Sequence, residues 1–365
     1  MRILIVNLDK SIFSPESKSL KDLKDYSRQT EKLFVITWIK GDNNPIIFDD
    51  RLFVYPTNSR IRLMYIYDTI KIYRKYLKKE GISIVSSQDP FETGLCAWII
   101  SRLFKLTLHL QIHTDFLSSY FSRESIANRI RVLIAKFLIK RARCIRVVSE
   151  KIRNSLLEIK VLAEKINVLP IFVDFEKTRN ASVKTDLRKK YSQFDFIILM
   201  ASRFSREKNI GMAIGAMAET AKERPKTGLI IIGSGTENKN YKLQIKKHKL
   251  EKNVIIENWI DDLPSYYKTA DLFLLTSNYE GYGRTLVEAA SAGCKIISSD
   301  VGVAKEFLES DNIFKVGDEK DLSEKLIAAI SGNIKSPKPI KLKTREEYLR
   351  EYKKGWEECL KKQII

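Results

Sequence analysis

Two carboxylates, Glu280 and Glu288, stand eight residues apart in the second half of the chain and enclose a glycine-rich segment. Gly281 and Gly283 follow the first carboxylate, and glycine allows a backbone to approach a ligand closely. The run 271–276 before them is short and apolar, which is typical of a buried strand. The pattern after Gly283 is helical. The order of strand, glycine-rich turn and helix therefore predicts a binding site at the end of a strand.

The predicted helix begins near Arg284 or Thr285 and has a stop signal at Gly293. The N–H groups at its start, around Thr285 and Leu286, have no helical acceptor, and the helix dipole is positive there, which suits a phosphate. Carboxylates on either side of that phosphate can accept hydrogen bonds from hydroxyl pairs. We therefore expect a phosphorylated ligand with a sugar at one end and a ribose at the other.

This block resembles the donor-binding signature of retaining glycosyltransferases with the two-domain GT-B fold, in family 4 (GT4). The family pattern is E-G-[FY]-G, four residues, E-A, and then small residues with a glycine. The matching residues are Glu280-Gly281-Tyr282-Gly283, Glu288-Ala289 and Ala292-Gly293. The resemblance implies transfer of a sugar from a nucleotide-diphosphate-sugar donor to an acceptor hydroxyl, with retention at the anomeric carbon. Glu280 would hold donor-sugar hydroxyls and Glu288 the nucleotide ribose. The alternative, a generic turn with solvated acids, does not explain the glycines.

The loop after the apolar run Phe196–Met200 contributes cations to the resembled site. Family members place an Arg and a Lys there to hold the donor diphosphate, and the matching positions are Arg203 and Lys208. Fixed cations aimed at the charge of a departing diphosphate lower the barrier to transfer. The glycine that often precedes the Arg is replaced by Ser202. The alternative for both cations is an ordinary solvated surface.

Four further residues, in three segments of the chain, match the family. Gly233 and Gly235 close a predicted strand in the manner of its nucleotide-proximal turn. Trp259 falls where the nucleotide base is usually held, and a core aromatic is an equal alternative. His113 follows a predicted strand at the position of a cleft-edge histidine near the transferred sugar, with a structural histidine as the alternative. His109 is expected to pack or to be solvated, because no further ligands make it part of a metal site.

No metal or other cofactor is expected. The chain contains no D-x-D pair, which agrees with a donor held by cations and helix ends. Its four cysteines have no C-x-x-C spacing, so we expect reduced thiols and no zinc site. The first loop, 7–14, lacks the Gly-Gly that many family members use, and Ser11 and Ser14 are candidate replacements. The cysteines are Cys96, Cys144, Cys294 and Cys359.

At 365 residues the chain suits two domains of ordinary size. We expect an α/β GT-B architecture: a Rossmann-like acceptor domain at 1–172, a Rossmann-like donor domain at 173–343, and a helix at 344–365 that crosses back to the first domain. A free amphipathic tail is the alternative for that helix. The segment 171–183 is expected to be a linker. Strands are expected at 3–6, 33–37, 82–85, 108–112, 145–148, 196–200, 228–232, 254–257, 272–275 and 295–298.

Two helical faces are predicted in the first half. One helix, 62–79, would bury Leu63, Ile66, Ile70 and Leu77. Another, 125–142, is basic and amphipathic, and such helices rest either on their own domain or on anionic lipid. Its predicted apolar face consists of Ile126, Ile130, Leu133, Ile134, Phe137 and Leu138.

The formal net charge of +20 lies mainly in the first half, where residues 1–172 hold 30 basic against 17 acidic side chains. The positive electrostatic field of this excess charge attracts a polyanion or an anionic membrane surface. No apolar run is long enough to span a bilayer, and the chain enters a strand at once, so we expect a cytoplasmic protein that can sit on the inner membrane face. The expected partners are a nucleotide-sugar donor and a glycan or lipid-linked acceptor.

The sequence is also compatible with other functions. A nucleotide-sugar epimerase or a phosphorylase would use the same fold and the same donor-binding residues. A basic nucleic-acid-binding protein is favoured only by the charge, because the aromatic residues fall largely on apolar faces rather than in a stacking groove.

Overall fold

The computed structural model describes residues 1–361 and contains two compact units. Unit 1 comprises Met1–Pro170 and the segment that begins at Lys343, and unit 2 comprises Ile171–Leu342. Each is built around one sheet whose central strands are apolar and buried on both faces, as parallel strands usually are.

Unit 1 has an eight-stranded sheet in the order β3-β4-β2-β1-β5-β6-β7-β8, parallel throughout except where β3 pairs with β4. The strands are β1 Arg2–Asn7, β2 Lys32–Thr37, β3 Ile46–Phe48, β4 Leu52–Pro56, β5 Ile84–Ser87, β6 Thr107–Ile112, β7 Cys144–Val147 and β8 Ile166–Val168. Its first helices are α1 Lys18–Ser27, α2 Tyr65–Ile72, α3 Glu92–Phe104, α4 Ser119–Glu124, α5 Ile126–Arg141 and α6 Glu150–Glu158.

Unit 2 has a six-stranded parallel sheet in the order β11-β10-β9-β12-β13-β14. The strands are β9 Phe196–Ala201, β10 Thr227–Ile232, β11 Val254–Glu257, β12 Leu272–Leu275, β13 Ile296–Ser299 and β14 Ile313–Phe314. The helices are α7 Phe175–Asn180, α8 Leu187–Lys190, α9 Ile210–Glu223, α10 Asn238–Lys247, α11 Leu263–Thr269, α12 Arg284–Ser291, α13 Ala304–Phe307 and α14 Glu319–Ile330.

The last helix, α15 Arg345–Lys361, packs within unit 1. The ring of Tyr352 stacks on Tyr26 of α1 at 4.6 Å between centroids, and Trp356 is fully buried. Arg345 binds the carboxylates of Asp22 and Asp25 at 2.7 and 2.8 Å. These contacts exclude a free amphipathic tail. The predicted end of this helix, at Lys362 and beyond, lies outside the described residues.

Several predictions about unit 1 are wrong in detail. The helix predicted at 62–79 begins as a 3-10 turn and ends as a π turn, and its buried face is formed by Tyr65, Thr69, Tyr73 and Leu77, while Leu63 is exposed. The short strands β3, β4 and β8 were not predicted, nor was β14 of unit 2. The expected linker contains the helix α7.

Helix α5 is oriented differently from the prediction. It buries Asn128, Ala135, Leu138 and Ile139, while much of the predicted apolar face is exposed to solvent. The amide of Asn128 is satisfied because its Nδ2 donates to the carbonyl of Phe121 at 3.1 Å. The helix is apolar on more than one side, so periodicity alone could not select its buried face.

The prediction that all four cysteines are reduced is also wrong. Cys144 at the start of β7 and Cys359 near the end of α15 form a disulfide within unit 1, with 5.6 Å between their Cα atoms. They are 215 residues apart in the sequence, so their pairing left no local signal. Cys96 and Cys294 are free and buried, and burial raises the pKa of each thiol to about 12.

Candidate functional site

The candidate donor site lies at the carboxyl edge of the sheet in unit 2. Strand β9 is flanked by β10 on one side and β12 on the other, so the loops after β9 and β12 diverge at a topological switch point. Ligands of open α/β sheets bind in the crevice at such a point. Lys208 lies in the loop after β9 and Glu280 in the loop after β12, so the fold brings these two predicted residues together.

Lys208 and Glu280 form an ion pair across this crevice. The ammonium Nζ lies 2.5 Å from Oε1 of the carboxylate, and the side chains are only 14% and 15% exposed. The hydroxyl of Ser277 donates to the same Oε1 at 2.9 Å. The hydroxyl of Thr276 donates to the carbonyl of Lys208 at 2.9 Å, which ties the two loops together. Lys208 is therefore a largely shielded cation held in place by its partner, rather than a solvated surface cation.

The glycine-rich turn leads directly into α12, as predicted. Gly283 has φ +89° and caps the helix, a conformation that favours glycine. Gly302, in the loop after β13, has φ +53°, and a Cβ there would lie 2.3 Å from the carbonyl oxygen of Tyr282. The amide of Val303 donates to that same oxygen at 3.0 Å. The loop after β13 thus supports the turn from behind, a role that sequence reasoning missed.

The start of α12 provides fewer free donors than predicted. The amide of Leu286 already donates to the carbonyl of Gly283 at 3.0 Å, so it is not available to a diphosphate in this arrangement. The amides of Arg284 and Thr285 precede any helical acceptor and remain the candidates at the positive end of the helix dipole. Gly281 and Tyr282 are buried within the turn.

Glu288 lies one turn inside α12 and is held by two partners. The hydroxyl of Tyr267 on α11 donates to Oε2 at 3.3 Å, and Nη2 of Arg284 lies 3.2 Å from Oε1. Burial, followed by the negative charge of Glu288, raises the pKa of Tyr267 well above its ordinary value. The phenol is therefore a neutral donor that orients the carboxylate. Tyr267 was not predicted, because a tyrosine in a helix gives no distinctive signal.

The glycines after β10 lie against the backbone of the loop after β9. A Cβ at Gly233 would lie 1.9 Å from the carbonyl oxygen of Ser202, and one at Gly235 would lie 2.4 Å from that of Phe204. Both have φ +155°. These glycines therefore permit the close packing of two loops at the carboxyl edge. This structural role is independent of any contact with a nucleotide.

Two predicted residues extend into solvent. The Arg203 side chain is 81% exposed and lies 3.6 Å from the carboxylate of Glu207. Trp259, after β11, is 54% exposed, so its interpretation as a core aromatic is wrong. Among the described contacts neither touches the Lys208–Glu280 pair, although both follow strands at the same edge of the sheet.

His113 belongs to unit 1, at the carboxyl end of β6. Its Nε2 lies 3.3 Å from Oε1 of Gln111, which also accepts from Nη1 of Arg146 at 2.8 Å and from the hydroxyl of Tyr352 at 2.9 Å. Burial of the ring, with the positive charge of Arg146 and then His109, lowers the pKa of His113 to about 3. His113 is therefore neutral at ordinary pH.

Arg146 is the buried cation of this network, and the sequence did not reveal it. It has no carboxylate partner among the described residues; instead the carbonyls of Leu169 and Pro170 accept from it at 3.2 and 3.1 Å, and its guanidinium lies 4.6 Å from the centroid of the Tyr352 ring. His109 packs inside the sheet, where its Nδ1 lies 2.8 Å from the hydroxyl of Ser86.

Within residues 1–361, no group of three or more His, Cys, Asp or Glu side chains is arranged to hold a metal ion. In the same part of the chain, every helix is too short or too polar to cross a bilayer.

Two doubly wound α/β units, the second with its polar site at a switch point, define a GT-B type of architecture. Solved structures support this: the chain has a TM-score of 0.69 with Anabaena Alr3699/HepE in complex with UDP-glucose, at 19% identity over 91% of this chain and 90% of that one. The score is 0.67 with the lipopolysaccharide outer core galactosyltransferase WaaB, at 16% identity over 99% of both chains.

Family models match each half of the chain. The model described as glycosyl transferases group 1 matches residues 183–347, and that described as glycosyltransferase family 4 matches residues 32–177. The chain therefore belongs to the GT4-type glycosyltransferases with the GT-B fold. The predicted family and fold class are confirmed.

Two relatives illustrate the family. The alpha-monoglucosyldiacylglycerol synthase of Streptococcus pneumoniae is 28% identical over 69% of this chain, and the match spans only 56% of that protein's length. The UDP-Gal:alpha-D-GlcNAc-diphosphoundecaprenol alpha-1,3-galactosyltransferase of Escherichia coli is 28% identical over 76% of this chain and 75% of its own.

Proposed function

We propose that the chain transfers a sugar from a nucleotide-diphosphate-sugar donor to an acceptor hydroxyl, with retention at the anomeric carbon. The observation that carries this proposal is the partly buried Lys208–Glu280 pair at the switch point, next to the start of α12. An ammonium has three donors. Glu280 occupies one of them, so Lys208 has donors left for a diphosphate.

The proposed donor residues divide the ligand between them. Glu280 accepts hydrogen bonds from sugar hydroxyls, and Glu288 accepts from the ribose. The diphosphate gains negative charge as the bond between the anomeric carbon and the diphosphate oxygen breaks. This charge is neutralised by Lys208, Arg203 and the first amides of α12. The acceptor oxygen then bonds to that carbon on the same face, and its proton passes to the departing diphosphate. No divalent metal is needed when these cations supply the charge.

Uridine is the proposed base, and the proposed acceptor is a glycan or a lipid-linked glycan at a membrane surface. The base is supported by the similar Anabaena structure, which was solved with UDP-glucose, and the acceptor by the two relatives, whose names specify a lipid and a lipid-linked sugar. The large positive charge of the first half fits an enzyme that works on an anionic membrane.

Calorimetric titration of the full chain with UDP, GDP and ADP tests the donor site. We expect one nucleotide, UDP, to bind at micromolar concentration, and Glu288→Ala to abolish that binding. The matched control is Glu219→Ala, which removes an exposed carboxylate from α9 of the same unit and should leave the affinity unchanged. If none of the three nucleotides binds, or if both variants lose binding equally, the donor site is wrong.

Transfer itself is tested by incubating donor sugars with a diacylglycerol and with a diphosphate-linked glycan, in the presence of EDTA. An α-linked product from an α-linked donor establishes retention. Turnover of donor without any acceptor would indicate an epimerase, and dependence on free phosphate would indicate a phosphorylase. Loss of activity in EDTA that Mg²⁺ restores would contradict metal independence.

A further inference from the structure

Helix α5 of unit 1 presents a line of apolar side chains to solvent. They recur at steps of three or four residues and therefore form one stripe, which runs about 16 Å along the helix. Exposed apolar patches of this kind mark surfaces that bind something. The α5 stripe consists of Ile126, Ile130, Leu133 and Phe137, which are 74%, 53%, 67% and 37% exposed.

The carboxyl end of α5 borders a cavity of about 900 Å³. The cavity opens at the amino-terminal ends of β6 and β7, the edge of the sheet opposite to His113. Trp98, Leu106 and Leu108 give it apolar walls, and Glu164 is the one carboxylate among the described residues that line it. This basic cavity takes its charge from Arg102, Lys105, Lys140, Arg141, Arg143 and Lys165.

A smaller cavity of about 310 Å³ adjoins the basic cavity and adds more positive charge. It shares Lys140, Leu162 and Lys165 with its larger neighbour and contributes Lys136 and Lys160. Among the residues that the structure describes, the two cavities together gather eight cations around one carboxylate.

Carboxylates of the described residues do not pair with these cations. Within residues 1–361, none of them lies within 4.0 Å of a carboxylate oxygen as an ion pair. Nη2 of Arg143 donates only weakly to the carbonyl of Leu360, at 3.4 Å, and its buried Nε has no acceptor in the described part of the chain. The guanidinium of Arg141 lies 3.5 Å from the centroid of the Phe137 ring, so it joins the basic cavity to the α5 stripe.

A phosphate attached to an apolar body fits this combination of features. Cations at the end of an apolar stripe match an anionic phospholipid, whose headgroup carries the phosphate and whose chains lie beside it. A nucleic acid fits less well, because its bases need exposed aromatic platforms, whereas three of the four stripe residues are aliphatic.

We propose that the basic cavity binds the headgroup phosphate of an anionic phospholipid while the α5 stripe enters the membrane interface. This inference rests on the membrane part of the proposed function and names its site. Because the cavity opens at the amino-terminal edge of the sheet, the bound lipid leaves the carboxyl edge around His113 uncovered in unit 1.

Co-sedimentation with vesicles tests the proposal. The vesicles contain phosphatidylcholine alone or phosphatidylcholine with phosphatidylglycerol, and the full chain should bind only the anionic set. Each basic residue near an anionic surface adds to the binding free energy, so the double variant Lys140→Ala with Lys165→Ala should bind anionic vesicles about 30-fold more weakly. Ile130→Ser with Leu133→Ser should weaken it roughly tenfold, because apolar contact with the interface is lost.

Matched controls come from α10 of unit 2. Lys246→Ala with Lys247→Ala removes the same charge from an exposed helix end, and Leu243→Ser removes an exposed leucine. Both should bind anionic vesicles as the unaltered chain does. If the α10 lysine variant loses as much affinity as the cavity variant, binding reflects net charge alone and the proposed site is wrong.

Two further arms identify the ligand. Inorganic phosphate alone should bind at least a hundredfold more weakly than the vesicles. The lipid assignment would be overturned if phosphate bound tightly and the Lys140→Ala, Lys165→Ala variant lost that binding while its vesicle binding stayed unchanged. The cavity would then be a site for free phosphate. A single-stranded oligonucleotide provides the second arm. If it displaced the chain from vesicles, and if its binding depended on Lys140 and Lys165 but not on Ile130 and Leu133, the ligand would be a nucleic acid and the lipid assignment would be overturned.

The failure of this inference is separable from the failure of the donor site. Every variant should keep the UDP affinity of the unaltered chain, which also shows that it is folded. A chain that binds vesicles in the expected pattern but no nucleotide would refute the donor site and leave the lipid site standing. A chain that binds UDP but no anionic vesicle would refute the lipid site alone.

Discussion

The Lys208–Glu280 pair should be strongly coupled in the stability of unit 2. Its two side chains are almost buried and their charged atoms are 2.5 Å apart. With charge centres about 4 Å apart and an effective dielectric constant of about 20, the attraction is about 4 kcal/mol. Solvent that reaches the exposed 14% and 15% of these side chains screens part of this attraction. We therefore expect a net coupling of about 2 kcal/mol.

A double-mutant cycle measures this coupling. Glu280→Gln leaves the Lys208 ammonium largely desolvated and should lower the free energy of unfolding by about 2 kcal/mol. Lys208→Met should cost a similar amount, although Ser277 continues to donate to the carboxylate. The double variant contains no unpaired charge, so it should be more stable than the sum of the two changes predicts.

The assay is urea unfolding of the full chain at pH 7, followed by circular dichroism and fluorescence, whose transitions must coincide for the free energies to be defined. The control cycle uses Lys222 and Glu219 on α9, which are 2.7 Å apart but 69% and 62% exposed, and should give about 0.3 kcal/mol. If the buried pair couples no more strongly than this exposed pair, the reasoning from burial is refuted.

Two more predictions concern backbone fit and pH. Gly233→Ala should abolish UDP binding and destabilise the chain by more than about 3 kcal/mol, because the added Cβ would lie 1.9 Å from a carbonyl oxygen. The control Gly293→Ala should cost only about 1 kcal/mol, because this position has φ +78° but no atom of the described residues within 4 Å of the added Cβ. Urea unfolding compares the two variants, and equal losses of stability would contradict the steric argument. Since the pKa of His113 is about 3 when folded and about 6.5 when unfolded, its contribution to stability is complete above pH 6.5 and is lost as pH falls toward 3. NMR titration should show no protonation of His113 between pH 8 and 5, and Arg146→Gln should raise its pKa; protonation near pH 6 in the unaltered chain would contradict the assigned environment.

The parts of the fold that the sequence predicts well are those with a local signal. Strand β12 and helix α12 appear where the apolar run and the glycines place them, with Gly283 at the cap. The placement of Lys208 opposite Glu280 follows from strand order, which the resemblance implied and which periodicity alone could not have supplied.

What the sequence could not predict depends on contacts between distant residues. Arg146 occurs within a four-residue strand and looks like any basic residue of an α/β protein, yet the packing of α15 makes it a buried cation. The buried face of α5 depends on which neighbours it meets, and its apolar residues allowed more than one choice. The supporting role of Gly302 depends on an approach to the carbonyl of Tyr282, twenty residues earlier in the chain.

The return of α15 to unit 1 has a consequence for synthesis on the ribosome. Unit 1 lacks its last helix until all of unit 2, Ile171–Leu342, has been made. At typical elongation rates this delay is about 10 to 40 s. During that interval Arg146 and the aromatic side chain of Tyr26 have no cover from Tyr352 and Trp356. Unit 2 is continuous in the sequence and can complete its fold first, so the chain matures from its middle outward, and a ribosome that stalls before Arg345 releases an incomplete unit 1.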